Sequence, residues 1–126
     1  MVNRFAIILF SLAVASCAPP IPSGNFDAPD PASRTYALVN LVREYRGPDA
    51  IKSGTPPATQ LKPVVTMLLS SDPMERFMAI EALRDLTGED LGYDASAPLP
   101  VRAMGVERWR TWIEEQSQMT TQEESV

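Results

Sequence analysis

The chain has 126 residues, 44% of them hydrophobic, with a net charge of −5, one cysteine and no histidine. That hydrophobic share belongs to a globular chain, and its length suffices for one small domain once a targeting segment is set aside. The acidic balance argues against nucleic acid, which needs clustered Lys and Arg, and the single cysteine and missing histidines exclude Cys/His zinc sites, disulfide frameworks and His-dependent triads within a single chain.

Residues 1–16 carry Arg4 and then an apolar run of about ten residues, the length of a secretory h-region and too short for a comfortable bilayer span. The run closes on Val14-Ala15-Ser16-Cys17, which resembles the lipobox of bacterial lipoproteins. The resemblance implies cleavage between Ser16 and Cys17, diacylglycerol on the Cys17 thiol and acylation of the new amino group, with no other cofactor. An ordinary signal peptide with a coincidental cysteine, or an uncleaved anchor, is the competing reading. Two or more acyl chains anchor a protein stably, so the expected address is the cell envelope. Ala18, where an aspartate is absent, favours an outer membrane facing the periplasm in a host with two membranes. Cleavage removes Arg4 alone among charged residues, leaving ten basic and sixteen acidic side chains, a net of −6.

Residues 17–29 are proline-rich without hydrophobic periodicity and read as an extended tether, with Ile21 and Phe26 able to dock loosely. Helix one is expected from Asp30-Pro31 to Arg46, stopped by Gly47-Pro48. After a loop to Ala58, Leu61–Leu69 reads as a shorter helix, with Pro63 in its first turn and Leu61, Val65, Leu68 and Leu69 turned inward. Ser70-Ser71 form a turn. Asp72 then caps a third helix, Pro73 suits its first position, Glu75 can reach back to the cap, and Gly88 ends it. Phe77, Ile80, Leu83 and Leu86 make its apolar stripe, beside Ala79 and Ala82, and leave Glu75, Glu81, Arg84 and Asp85 mostly on the outer side.

Residues 30–41 overlay residues 72–83 without a gap, matching Asp, Pro, Arg, Ala and Leu at an offset of 42. That period suits helical repeat arrays. A helix ending in Leu-Leu, a polar turn and Asp-Pro-x-x-Arg-x-x-Ala resemble a HEAT-type repeat. The resemblance implies that Arg34 and Arg76 bond to neighbouring turns and that Ala37 and Ala79 permit close packing. Ser33 and Glu75 depart from the aliphatic residue usual before the arginine, and Met74 is expected to supply that packing.

A loop from Glu89 to Pro100, anchored by Leu91 and Tyr93, leads to a last helix over about Val101–Glu115, with Val101, Gly105, Val106, Trp109, Trp112 and Ile113 on one face. Leu-Thr-Gly, Gly-Tyr-Asp and Arg-Trp-Arg-x-Trp resemble the close of HEAT-like modules in bacterial proteins, which supply no reaction to transfer. The expected fold is therefore all-α with about four helices: a HEAT-like hairpin between a leading and a capping helix over residues 30–116, then a polar disordered tail over 117–126.

The chemistry-bearing residues favour bland roles. Glu89/Asp90, Glu114/Glu115 and Glu123/Glu124 read as solvated surface, Glu89, Asp90 and Asp94 lack an EF-hand ladder, and Ser70 and Ser71 lack a base. Trp109 and Trp112 suit a core better than a carbohydrate platform, and Tyr93 an anchor better than a ligand contact. No catalytic or metal residue is expected. The function read from the sequence is a lipid-anchored interaction or scaffold module with a protein partner; the alternatives are a non-autonomous periplasmic enzyme or ligand-binding subunit and a purely structural lipoprotein. Replacing Cys17 by alanine is expected to abolish fatty-acid labelling, and continued labelling of that variant would refute the lipidation site.

Overall fold

The computed structural model describes Pro19 and residues 21–125; the expected signal peptide and lipobox, with Ser16 and Cys17, lie outside the described residues. Among the described residues the chain is all-α, with four helices: α1 (Pro31–Arg46), α2 (Ala58–Met67), α3 (Pro73–Thr87) and α4 (Leu99–Glu124). α1 and α3 start in the same way. The Asp30 carboxylate accepts from the Ser33 N–H at 2.7 Å, the Asp72 carboxylate accepts from the Met74 and Glu75 N–H groups at 2.8 and 3.4 Å, and a proline with no donor to lose follows each cap. Their ends differ. Gly88 closes α3 at φ 74°, a backbone state that side chains with a Cβ resist. Gly47 closes α1 at φ −67°, where a Cβ would stand 2.7 Å from the Arg43 carbonyl oxygen.

α1 and α3 lie side by side and parallel, tied at their starts by Arg34 to Glu75 and at their ends by Arg46 to the Asp85 and Leu86 carbonyls. α2 packs against α3 from the other side of the core and also against α4. Val65 and Thr66 stand opposite Arg110 and Ile113, while Leu61 stands opposite Trp112 and Gln116, so α4 runs antiparallel to α2. The loop over residues 88–98 produces this reversal. Arg84 holds its Tyr93 carbonyl, Arg76 its Ala95 carbonyl, and Arg108 the Leu91 and Gly92 carbonyls, which returns the chain along α3 before α4 begins. Buried Tyr93 donates its hydroxyl to the Leu68 carbonyl at the end of α2, and a Cβ at Gly105 would stand 2.8 Å from its ring. Burial pushes the Tyr93 hydroxyl above its ordinary pKa, so it remains a donor.

The core joins Leu38, Leu41 and Tyr45 of α1, Leu61, Val64, Val65 and Leu68 around α2, Ile80, Leu83 and Leu86 of α3, and Val106, Trp109 and Ile113 of α4. Trp109 is fully buried and meets Trp112 edge to face at 5.9 Å, which removes Trp109 from any open sugar platform.

Several expected boundaries and faces move. Ser23 donates its N–H to the Ser33 hydroxyl and Ala28 is buried, so the ordered body begins before Asp30 and takes over the second half of the expected 17–29 tether. Phe26 packs against the core, whereas Ile21 is 92% exposed. α2 starts at Ala58, which puts Pro63 at its sixth residue rather than in the first turn; the Thr59 carbonyl loses its helical donor but lies on an exposed residue that water can reach. Leu69 is on the rim rather than inward.

Phe77 is 53% exposed, because α3 instead buries Glu75 and Arg76 with Ala79, Ile80 and Leu83, and Phe77 lies ~200° of helix before Ala79. Met74, 64% exposed, does not supply the packing expected beside Arg76. Val101 is exposed, and α4 begins at Leu99. The expected disordered tail continues α4 to Glu124: no glycine or proline interrupts residues 117–124, and the Ser117, Thr120 and Thr121 hydroxyls bond carbonyls four residues back.

Leu83 is wholly buried between the helices. Its replacement by alanine is expected to cost about 2–5 kcal/mol through lost burial and a residual cavity, and a chemical-denaturation midpoint equal to the parent's would remove it from the core.

Candidate functional site

Glu75 is the most buried charged side chain among the described residues, 1% exposed although it stands in the first turn of α3. Its two oxygens receive a fork from Arg34, with Nε to Oε1 at 2.6 Å and Nη2 to Oε2 at 2.9 Å, and the Ser70 hydroxyl also donates to Oε2. Ser70 Oγ in turn accepts the Asp72 N–H at 3.1 Å. Glu75 therefore reaches the cap residue through Ser70, and it faces inward rather than toward solvent. Burial pushes its carboxyl up, but the Arg34 guanidinium and the Ser70 hydroxyl outweigh that and hold it below the ordinary glutamate value; the same contact raises the Arg34 guanidinium.

Arg34 and Arg76 repeat one another in space as they do in sequence. Arg34 Nη1 donates to the Ala28 and Pro29 carbonyls at 2.7 and 2.9 Å, and Arg76 Nη1 donates to the Ser70 and Ser71 carbonyls at 2.8 and 3.1 Å. Both acceptors shift by the same 42 residues as the arginines. The remaining arms diverge: Arg34 turns to the neighbouring helix through Glu75, and Arg76 turns to Ala95 in the loop before α4. Ala79 and Leu83 are buried beneath Arg76, and Ala37 occupies the corresponding place on α1.

A recess of about 700 Å³ opens beside the Glu75 cluster, lined among others by Phe26, Asp27, Lys62, Thr66 and Ser70. Its chemistry is limited by saturation. Both Glu75 carboxylate oxygens already accept strong donors, and the Ser70 hydroxyl spends its proton on Glu75, so this pair supplies neither a free base nor an activated nucleophile to the opening. In the 88–98 loop, Asp90 accepts the Gly92 N–H and Asp94 accepts the Ser96 N–H and hydroxyl, so both carboxylates serve the turns that carry them. Among the described residues no three His, Cys, Asp or Glu side chains converge as a metal site.

A second opening of about 600 Å³ lies between α1 and α3 on the side away from α2. Leu38, Val39, Val42, Met78 and Ala82 give it an apolar floor, with Arg43 on the α1 rim and Asp85 on the α3 rim. Glu81, also on the rim, pairs with Arg84 at 2.7 Å. Sequence reading did not find this groove, because it arises only from the parallel seating of α1 against α3.

No family model, curated protein or solved structure matches the chain.

Replacing Arg34 by alanine leaves the Glu75 carboxylate buried without its guanidinium, and the expected cost near neutral pH is about 3–5 kcal/mol. In the parent, a lowered carboxyl pKa contributes stability that is present above the unfolded glutamate value and is lost as pH falls through the folded value. The gap between parent and variant should therefore narrow as Glu75 protonates, as read by denaturant titrations repeated from neutral to acidic pH. A gap independent of pH would mean that Arg34 stabilises through packing and its bonds to the Ala28 and Pro29 carbonyls rather than through Glu75.

Proposed function

We propose that this chain is a lipid-anchored envelope protein whose HEAT-like helical module binds a protein partner. The groove between α1 and α3 carries the interaction reading. Its floor is apolar, its rim carries Arg43 and Arg46 with the carboxylates of Glu81 and Asp85, and it needs no chemistry from the chain. A partner segment with apolar side chains along one helical face and charges of both signs beside them would match it. The 42-residue spacing of the two arginines and of the carbonyls they hold supports the repeat reading. The saturation of Glu75 and Ser70 favours a binding module over an enzyme.

α4 departs from a simple array. Units related by translation would set it parallel to α2, whereas it runs the opposite way and covers α2. This favours α4 as a terminating cap, consistent with a short module rather than a growing solenoid. The anchor rests on Val14-Ala15-Ser16-Cys17.

A photocrosslinker at Val42, in the groove, is expected to trap one stoichiometric protein in the intact envelope, while the same group at Gln118 on the exposed end of α4 should not trap it. Equal yields from the two positions would remove the groove as the binding face, and autonomous turnover of envelope substrates by the purified protein would overturn the non-enzymatic reading.

A further inference from the structure

We infer that the end of the domain at which α1, α3 and α4 begin is seated on the same lipid bilayer that holds Cys17, a proposal that rests on the lipid-anchor reading above. The first observation is where the chain enters. Ser23 is pinned to Ser33, the third residue of α1, and Gly24 lies against Tyr36, where a Cβ would meet the ring at 3.1 Å. Six residue steps lead from Cys17 to Ser23, a reach of roughly 19 Å at the polyproline rise of 3.1 Å per residue. That is shorter than the roughly 24 Å length of α1 at 1.5 Å per residue. The leash therefore keeps the entry end close to the headgroups.

The second observation is what this end presents. Three helices start there: Arg34 joins the starts of α1 and α3, and Arg76 and Tyr93 hold the loop that delivers α4 to the end of α2. Within their first six residues α3 exposes Met74 and Phe77, and α4 exposes Leu99, Val101 and Met104. Met74 and Met104 are both more than 60% exposed. These side chains occupy the outer positions of helices whose inner positions fill the core, so folding itself does not require them to be apolar. Ile21, in the leash, is exposed as well. A membrane interface takes up apolar side chains of this kind at shallow depth.

Charge decides the nature of the contact. The carboxylates of Asp30, Asp72 and Asp94 lie at this end, and its guanidiniums, Arg34, Arg76 and Arg102, are spent on Glu75 or on backbone carbonyls, so no excess of cations draws it to anionic headgroups. The seat is apolar and is held by the leash, and raised salt leaves it in place.

The test uses the acylated protein reconstituted into phosphatidylcholine vesicles containing a headgroup-nitroxide lipid. With the Cys17 thiol occupied by lipid, a single introduced cysteine at Met74→Cys, Met104→Cys or Gln118→Cys carries an environment-sensitive fluorophore. Quenching is expected to be several-fold stronger at positions 74 and 104 than at 118, and unchanged by high salt. Mass measurement of the Cys17 peptide from the same sample separates the two readings. Lipid on Cys17 with equal quenching at the three positions overturns the seat and leaves the anchor standing, whereas no lipid on Cys17 overturns both. All three positions are exposed, and circular dichroism matching the parent verifies that each variant keeps its fold.

Discussion

A carboxylate removed from water stays ionised only where fixed donors replace its solvent shell, and Glu75 meets that condition through Arg34 and Ser70. The arrangement of the helices depends on this contact. Arg34 belongs to α1 and Glu75 to α3, so the fork sets the relative height at which the two parallel helices meet. Ser70 brings in the turn after α2, and its oxygen also receives the Asp72 N–H that precedes α3. Through Nη1, Arg34 reaches the Ala28 and Pro29 carbonyls and draws the leading segment onto the body. One ion pair thus fixes four pieces of chain whose apolar contacts alone would permit sliding.

The same geometry separates the two arginine-bearing helix starts. In both copies an arginine gathers two carbonyls from the segment just before its helix, but only the first has a carboxylate on the next helix to receive its second arm. Arg76 instead takes the Ala95 carbonyl, and that bond draws the 88–98 loop back along α3. α4 consequently enters from the opposite end and lies over α2, where Val106, Trp109 and Ile113 are buried. A translated repeat would have needed a short connection at the end of α3. The divergence of one side chain's partner accompanies the antiparallel seating of α4 against α2.

Much of this was legible in the sequence. Asp-Pro starts, Gly stops and the overlay at 42 residues identified α1 and α3 because caps and breakers act locally. The inward turn of Glu75 was not legible: periodicity treats a glutamate as outward-facing, and its partner Arg34 lies 41 residues away. Periodicity puts Phe77 on the stripe for the same reason, since its hydrophobicity is local and the polar network occupying that side of the first turn is not. The continuation of α4 was missed because polar composition was read as disorder, although the segment contains no helix breaker. The groove between α1 and α3 and the reversal of α4 are tertiary features, and local pattern carries no signal for either.

Polarity along the helix axes follows from these contacts. The leading segment joins the body beside the start of α1, at the same end as the Glu75 cluster, while the apolar groove runs toward the opposite end, where Arg46, Gly47 and Pro48 line it. A load transmitted along the leash would fall first on the Ser23–Ser33 bond and then on the carbonyls held by Arg34, which the buried carboxylate keeps in position. The groove would feel that load only through the parallel contact of α1 with α3, which Arg46 closes at the far end. The entry of the leading segment and the apolar groove therefore lie toward opposite ends of one pair of parallel helices, so the chain before Ser23 joins the body without crossing the groove.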